Sequence, residues 1–450
     1  HGLLVSNSVV TLTDTLFTGI GGGDTTDDVA VYVQGEDSVL EMHDNTFTGN
    51  IKDRVLLMPD AMMGHDTTLY AQPVFDGYEL QGDYTVPSGI TLTVEPGVIL
   101  RGSASTELLV RGHLQALGTP TNPITFTSST DSGPHEWAGL LFDGSGGAGT
   151  GHVRHASIRY GGSGTTIIDG YHRGSNLAVY DVVAGEVRLE HVVVEQAFHS
   201  DGWHFYGDHG LYVNNSQVAV ASSTFKNNCD GGTYDSGVYV TGLSHVLIDD
   251  SVIQYNAASG IVVEGDEAFV RVTGSLVADN QGDGVENQGM ATVILSGDLD
   301  SGNAIHGNAS LGANQTGLSG QIIATYNYWG DPSGPTHSGN PGGTGEPVSD
   351  RVLYEPWLAE APSETPRGEV RPQAFGPSFV SPGETVNLGF LVHNVLTETL
   401  ESAILVAHLP REAEYVQSSP NAEYWPQRHQ AVWKLGDMAP DEQVSVAVQV

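Results

Sequence analysis

The feature that most limits what this chain can fold into is a phrase that returns at a fixed interval. Residues 245–265, HVLIDDSVIQYNAASGIVVEG, lie over residues 269–289, FVRVTGSLVADNQGDGVENQG. Val246 falls on Val270, Ile248 on Val272, Ser251 on Ser275, Asn256 on Asn280, Gly260 on Gly284 and Gly265 on Gly289, every pair 24 residues apart. One repeat earlier, Val218, Val220, Ser223 and Asn228 match at an offset of 28, the slack falling in CDGGTYDS at 229–236. Within each repeat, apolar residues alternate at period two in three very short runs separated by Gly or Asn. A helix would space apolar residues three and four apart, and a β-sandwich would not repeat a three-strand phrase at fixed period. Three short strands per turn instead build a β-solenoid, in which each repeat buries its apolar side chains against the next. YTVPSGITLTVEPGVILRG (84–102) then explains itself. Each strand is one side of a coil, and Pro87, Gly89, Pro96 and Gly97 turn its corners. Asn228, Asn256 and Asn280 recur at one corner, where a side-chain amide can donate and accept along a ladder.

Four further phrases carry a resemblance: the run at 84–102, LLVRGHLQALGTPTNPITFTSS (108–129), HEWAGLLFDGS (135–145) and VRHASIRYGG (153–162). They resemble bacterial right-handed parallel β-helix surface proteins of pectin-lyase-like shape. NYWGDPSGPTHSGNPGGTGEPVSDRVLYEPWL (327–358) resembles the terminal turn of that family, with Trp329 and Trp357 expected to cover the lower end. The resemblance spans residues 70–358 and implies an all-β, right-handed parallel β-helix outside the cell. KDRVLLMP (52–59) echoes SDRVLYEP (349–356), so residues 1–69 are expected to be the end of a preceding β-helical segment plus a connector. Residues 359–373 contain Pro and Glu and are expected to be a linker. Residues 374–450 alternate at period two with Pro–Gly punctuation and resemble an immunoglobulin-like β-sandwich, expected to be truncated after QVSVAVQV. The opening His1 and the absence of a visible signal peptide suit a mature fragment, secreted or held at a cell surface.

Charge narrows the partners. Sixteen basic residues face 54 acidic ones, a net charge of −38. Such a surface repels nucleic acid and anionic lipid, and no stretch is apolar enough to cross a membrane. The single cysteine, Cys229, excludes an internal disulfide, and no motif supplies it with a base.

The resemblance brings enzymes into view, since this fold hosts polysaccharide lyases and hydrolases. Polygalacturonase-like enzymes carry Asn-Thr-Asp, Asp-Asp, Gly-His-Gly and Arg-Ile-Lys. Here GDHG (207–210) offers only Asp208 and His209, and Arg-Ile-Lys is absent. Pectate-lyase-like enzymes set a calcium-binding Asp cluster beside a base, and Arg173, Arg188, Lys226 and Arg271 match no such motif. The richest segment is FHSDGWHFYGDHG (198–210). If the protein is an enzyme, His199, Asp201, Asp208 and His209 are its acid–base candidates, with aromatic rings to stack on sugars. The plainer reading is a polar loop between turns. Asp24, Asp27 and Asp28 in GGGDTTDD offer an oxygen-only set of the kind calcium takes, against the reading of a solvated loop.

The expectation is an extracellular structural or adhesive protein, requiring no cofactor. A stiff rod would present insertions at 21–28, 163–176, 199–210 and 229–236 to glycans or partner proteins, or to copies of itself in a fibre or sheath. The alternative is a glycan-active lyase or hydrolase on the same scaffold.

Overall fold

The computed structural model describes every residue except 23–27, 164–166, 169–170, 173, 199–207, 230–234, 296–301, 318, 363–369, 376–382, 384, 395–398, 410–413, 426–429 and 440–441. Two compact units emerge, His1–Ser363 and Glu364–Val450.

In the first unit the repeat becomes a coil. A representative turn holds the strands Gln217–Ala221, Thr224–Lys226 and Ser236–Thr241. The first two belong to a 21-stranded parallel sheet that bends between them, and the third to a nine-stranded parallel sheet. The pairing follows the sequence offset: Val246 sits beside Val270 and Ile248 beside Val272. Inward side chains therefore stack on their equivalents. Val218, Val220, Phe225, Val238 and Val240 lie over Val246, Ile248, Ile253, Ile261 and Val263, all buried in one continuous core. The nineteen residues of 84–102 contain three strands, Tyr84–Val86, Thr91–Val94 and Ile99–Gly102. Between them Gly89 and Gly97 take φ of +82° and +86°, which only glycine adopts without a Cβ clash.

The stack extends into the N-terminal residues. Leu3–Ser6, Val29–Gln34, Lys52–Leu57 and Tyr78–Leu80 pair in parallel succession. Thr67–Leu69, expected to be part of a connector, pairs with Thr91–Val94. The shared Asp-Arg-Val-Leu phrase thus marks a strand of the sheet: its first copy sets Val55 and Leu57 beside Tyr78 and Leu80, its second sets Val352 beside Ile322. Trp329 is not a cover but wholly buried in the core, while Trp357 packs against that core and donates from Nε1 to the Pro332 carbonyl at 3.1 Å.

The second unit is antiparallel. Val370–Phe375, Asn387–Asn394, Gln443–Gln449 and Gln417–Ser419 form one sheet; Leu400–His408, Gln430–Met438 and Glu423–Trp425 form another. Val392, Leu405, Trp433, Val446 and Val448 share its core. Residues 370–373, expected in the linker, lie in its first strand.

Candidate functional site

Two corners of the coil carry polar ladders. At the first, Asn228 Nδ2 donates to Asn256 Oδ1 at 3.1 Å, Asn256 Nδ2 to Asn280 Oδ1 at 2.9 Å and Asn280 Nδ2 to Asn308 Oδ1 at 3.0 Å. The same amides donate to the carbonyls of Val194, Phe225 and Ile253. Asn228, Asn256 and Asn280 are 0% exposed, so each bond lies away from water. Gly237 and Gly260 pack directly on this ladder; a Cβ at Gly237 would lie 2.6 Å from Asn256 Nδ2. The second ladder changes chemistry along its length. The Ser223 amide donates to Ser251 Oγ, Ser251 to Ser275 Oγ, Ser275 to Asn303 Oδ1 and Asn303 to Asn327 Oδ1, at 2.9–3.1 Å.

The three faces differ outside. On the 21-stranded sheet, strands such as Gln217–Ala221 and His245–Asp249 alternate between buried and solvent-facing residues. A charged row runs there: Lys52 pairs with Glu79 at 3.1 Å, Arg159 with Asp131 at 2.8 Å and Lys226 with Glu195 at 3.4 Å. The nine-stranded sheet is buried on both sides along Gly139–Asp143, Gly174–Tyr180, Asp208–Asn214 and Ser236–Thr241. Its outward row reads Leu109, Leu141, Ala178, Tyr212, Tyr239, Val262 and forms an apolar cluster separate from the core.

The sheet's outer face is the candidate site. His209 lies beside Ser236, with its Nδ1 3.0 Å from the Ser236 Oγ, and its ring stacks on Tyr239 at 4.6 Å. Tyr212 and Tyr239 stack at 5.8 Å, and the Tyr239 hydroxyl donates to Glu264. The Asp208 amide donates to Asp235 Oδ1 at 2.8 Å. Further along the same sheet, Glu107 sits opposite Gly139, a partner without a side chain, and its amide donates to Asp83 Oδ1. Burial pushes the Glu107 carboxyl up to about 7, with Asp83 adding to the effect and Arg111 opposing it. Arg111 donates from Nε to Asp143 Oδ2 at 2.9 Å. Burial works to raise Asp143, but bonds from Ser145 and Arg111 outweigh it and hold the acid below its ordinary range. Burial also raises Glu286, which continues the outward row beyond Val262. The face thus joins stacked rings to two carboxyls, Glu107 and Glu286, that burial raises above the ordinary carboxylate range.

The sequence candidates separate accordingly. Asp208 and His209, expected at the end of an open loop, open the strand Asp208–Asn214 and are buried, because the Gly210 that follows lets the chain settle onto the Asn ladder. His199 and Asp201 lie outside the described residues, as do Asp24, Asp27 and Arg173. Asp28 is half-buried, and its Oδ2 is shut from water and meets no hydrogen-bond partner among the described residues. Among the described residues no three His, Cys, Asp or Glu side chains converge to hold a metal ion. Of the other bases, Arg188 pairs with Glu186. Cys229 is held with φ +66°, and burial pushes its thiol far up, so it is a poor nucleophile. Glu107, Tyr239 and Asn308 were not anticipated; the one available signal was the Asn at offset 28 from Asn280.

Two family models match the chain. A pectate-lyase like beta helix domain covers residues 62–171, and a right handed beta helix region covers residues 139–317. Together with the parallel stack they make this part of the molecule a right-handed parallel β-helix of pectate-lyase-like type. No curated protein and no solved structure matches the chain.

Proposed function

We propose that this protein is an extracellular structural or adhesive element: a stiff β-helical rod whose insertions recognise glycans or surface proteins. The observation that carries the reading is the pair of unbroken polar ladders beside a continuous apolar core. Such a coil resists bending where, between residues 223 and 327, turns are bonded to one another at these two corners as well as along their strands. Of the four insertions, 163–176, 199–210 and 229–236 lead into strands of the nine-stranded sheet, and 21–28 leads into Val29–Gln34 of the 21-stranded sheet. The antiparallel unit is read as an immunoglobulin-like spacer. Bacterial origin, surface location and self-association belong to the same proposal, as does calcium at Asp24, Asp27 and Asp28.

A second reading, a glycan-active lyase or hydrolase, is favoured by one observation: Glu107 is held near neutrality beside the Arg111–Asp143 pair. A glycan array screened for both binding and release of reducing or unsaturated ends separates the two. Binding without cleavage is expected. Cleavage of any polysaccharide overturns the scaffold reading and directs mutation to Glu107, His199, Asp201, Asp208 and His209. A melt run with calcium and with a chelator tests the acidic loop in the same sample.

A further inference from the structure

We propose a separate ligand site at the C-terminal turns of the β-helix: an open groove of about 390 Å³, lined by His306, Tyr328, Trp329, Thr344 and Glu346, that takes a neutral sugar residue. The groove is made by coil residues and the closing loop, not by the insertions, so it stands independently of the recognition proposed for them above.

Its walls are fixed from two sides. The Gly307 amide donates to Glu346 Oε2 at 2.7 Å, and the Glu346 amide donates to the Trp329 carbonyl at 2.6 Å. Gly345 donates to the Gly334 carbonyl at 2.9 Å, and Tyr328 bridges in parallel to Ala304. The Tyr328 and His306 rings meet edge to face at 74° with centroids 6.4 Å apart, and the Tyr328 ring is an aromatic surface of the kind that packs on the C–H face of a sugar. The groove is of the size of small-molecule sites, which begin at about 300 Å³.

The polar inventory selects the ligand class. Among the described residues the buried Trp329 Nε1–H meets no acceptor. Glu346 Oε1 is shut from water and, among the described residues, meets no donor at hydrogen-bond distance. Asn308 lies close enough to favour the Glu346 carboxylate, but its amide donates to the Val277 carbonyl at 3.1 Å. Burial raises the Glu346 carboxyl against the bond from Gly307. The groove's lining offers a carboxylate, a threonine hydroxyl and an imidazole, and a ligand hydroxyl, which donates and accepts, can serve all three. Glu346 is half-buried and lines the groove. The carboxylate and the net charge of −38 oppose an anion. Among the described residues no three metal-type ligands converge here, which opposes a cation. Thr344, His306 and Glu346 oppose a purely apolar guest. A neutral sugar satisfies all three conditions.

Saturation-transfer-difference NMR and titration calorimetry with cellobiose, maltose, lactose and chitobiose, and with digalacturonate as the acidic control, test the site. At least one neutral disaccharide is expected to bind, with digalacturonate at least about tenfold weaker. Glu346→Ala and Tyr328→Ala are each expected to weaken binding by about tenfold or more at unchanged melting temperature. If Glu346→Ala lowers the melting temperature, the half-buried Tyr328 carries the test. Binding by none of the four, equal binding of digalacturonate, or affinity unchanged in Tyr328→Ala overturns the proposal. Substitutions confined to 199–207 should leave this binding intact, which keeps its failure distinct from failure of recognition by the insertions.

Discussion

Asn256→Ala removes the middle of the Asn ladder and should be among the most damaging single changes in the β-helix. The Asn256 side chain makes four hydrogen bonds: it accepts from the Asn228 amide and from Asn228 Nδ2, both at 3.1 Å, and donates to Phe225 O at 3.2 Å and Asn280 Oδ1 at 2.9 Å. Asn280 Oδ1 keeps the Asn256 backbone amide at 3.2 Å and is not orphaned. Three buried groups lose a partner: the Asn228 amide, one N–H of its side chain and the Phe225 carbonyl. At about 1–3 kcal/mol per orphaned group, and allowing water to reach one of the three, the loss is about 2–6 kcal/mol. A coil of stacked turns need not unfold as one unit, so the measurement is local. Hydrogen exchange across 224–263 under native conditions, read beside urea unfolding followed by far-UV circular dichroism, gives both the local and the global cost. Glu267→Ala, on an exposed corner 11 residues further along, is the control and should change stability by less than about 0.5 kcal/mol. A loss for Asn256→Ala below about 1 kcal/mol would refute the claim that the ladder contributes stability beyond its packing.

Three further outcomes follow from burial. Glu107 has a folded pKa of about 7, above the ordinary 4.5, so its contribution is most favourable below pH 4.5 and is lost as pH rises toward 7. Glu107→Gln should therefore be more stable than the parent at pH 8, on the order of 2 kcal/mol, with the gap closing at pH 4; urea midpoints at the two pH values check this. His155 behaves oppositely. Burial first, then the His191 ring stacked at 4.4 Å, lowers it to about 4, so the stability it contributes above pH 6.5 is lost as pH falls toward 4. His155→Gln should flatten the fall in melting temperature between pH 7 and pH 4.5, and an unchanged slope would assign that fall to other groups. Cys229, whose thiol is raised by burial and then by Asp235, should resist thiol reagents in the folded protein and react fully in denaturant; rapid native labelling would contradict its placement.

The sequence by itself determined the coil. The 24-residue offset that sets Val246 over Val270 is a property of the chain, and the strands pair in that register because like side chains must stack when parallel turns are built on one repeat. The ladder was legible for the same reason wherever the same residue recurred, as with Asn228, Asn256 and Asn280. It was not legible where the chemistry persisted but the residue changed: Ser275 gives way to Asn303, since either oxygen accepts the backbone N–H of the preceding turn. Tertiary structure decided the rest. Asp208 and His209 read as loop residues because the apolar alternation begins after them, yet Gly210 and the ladder beneath it draw them into the strand. Glu107 reads as one more acid in an acidic chain; its raised pKa comes from burial first and then from Asp83 and Asp143, which the stacked turns bring near. The groove at His306 and Glu346 joins residues 40 positions apart through a closing loop that follows no repeat. Periodicity is written along the chain, but burial and the pKa it sets belong to the neighbours, and those are chosen only when the turns stack.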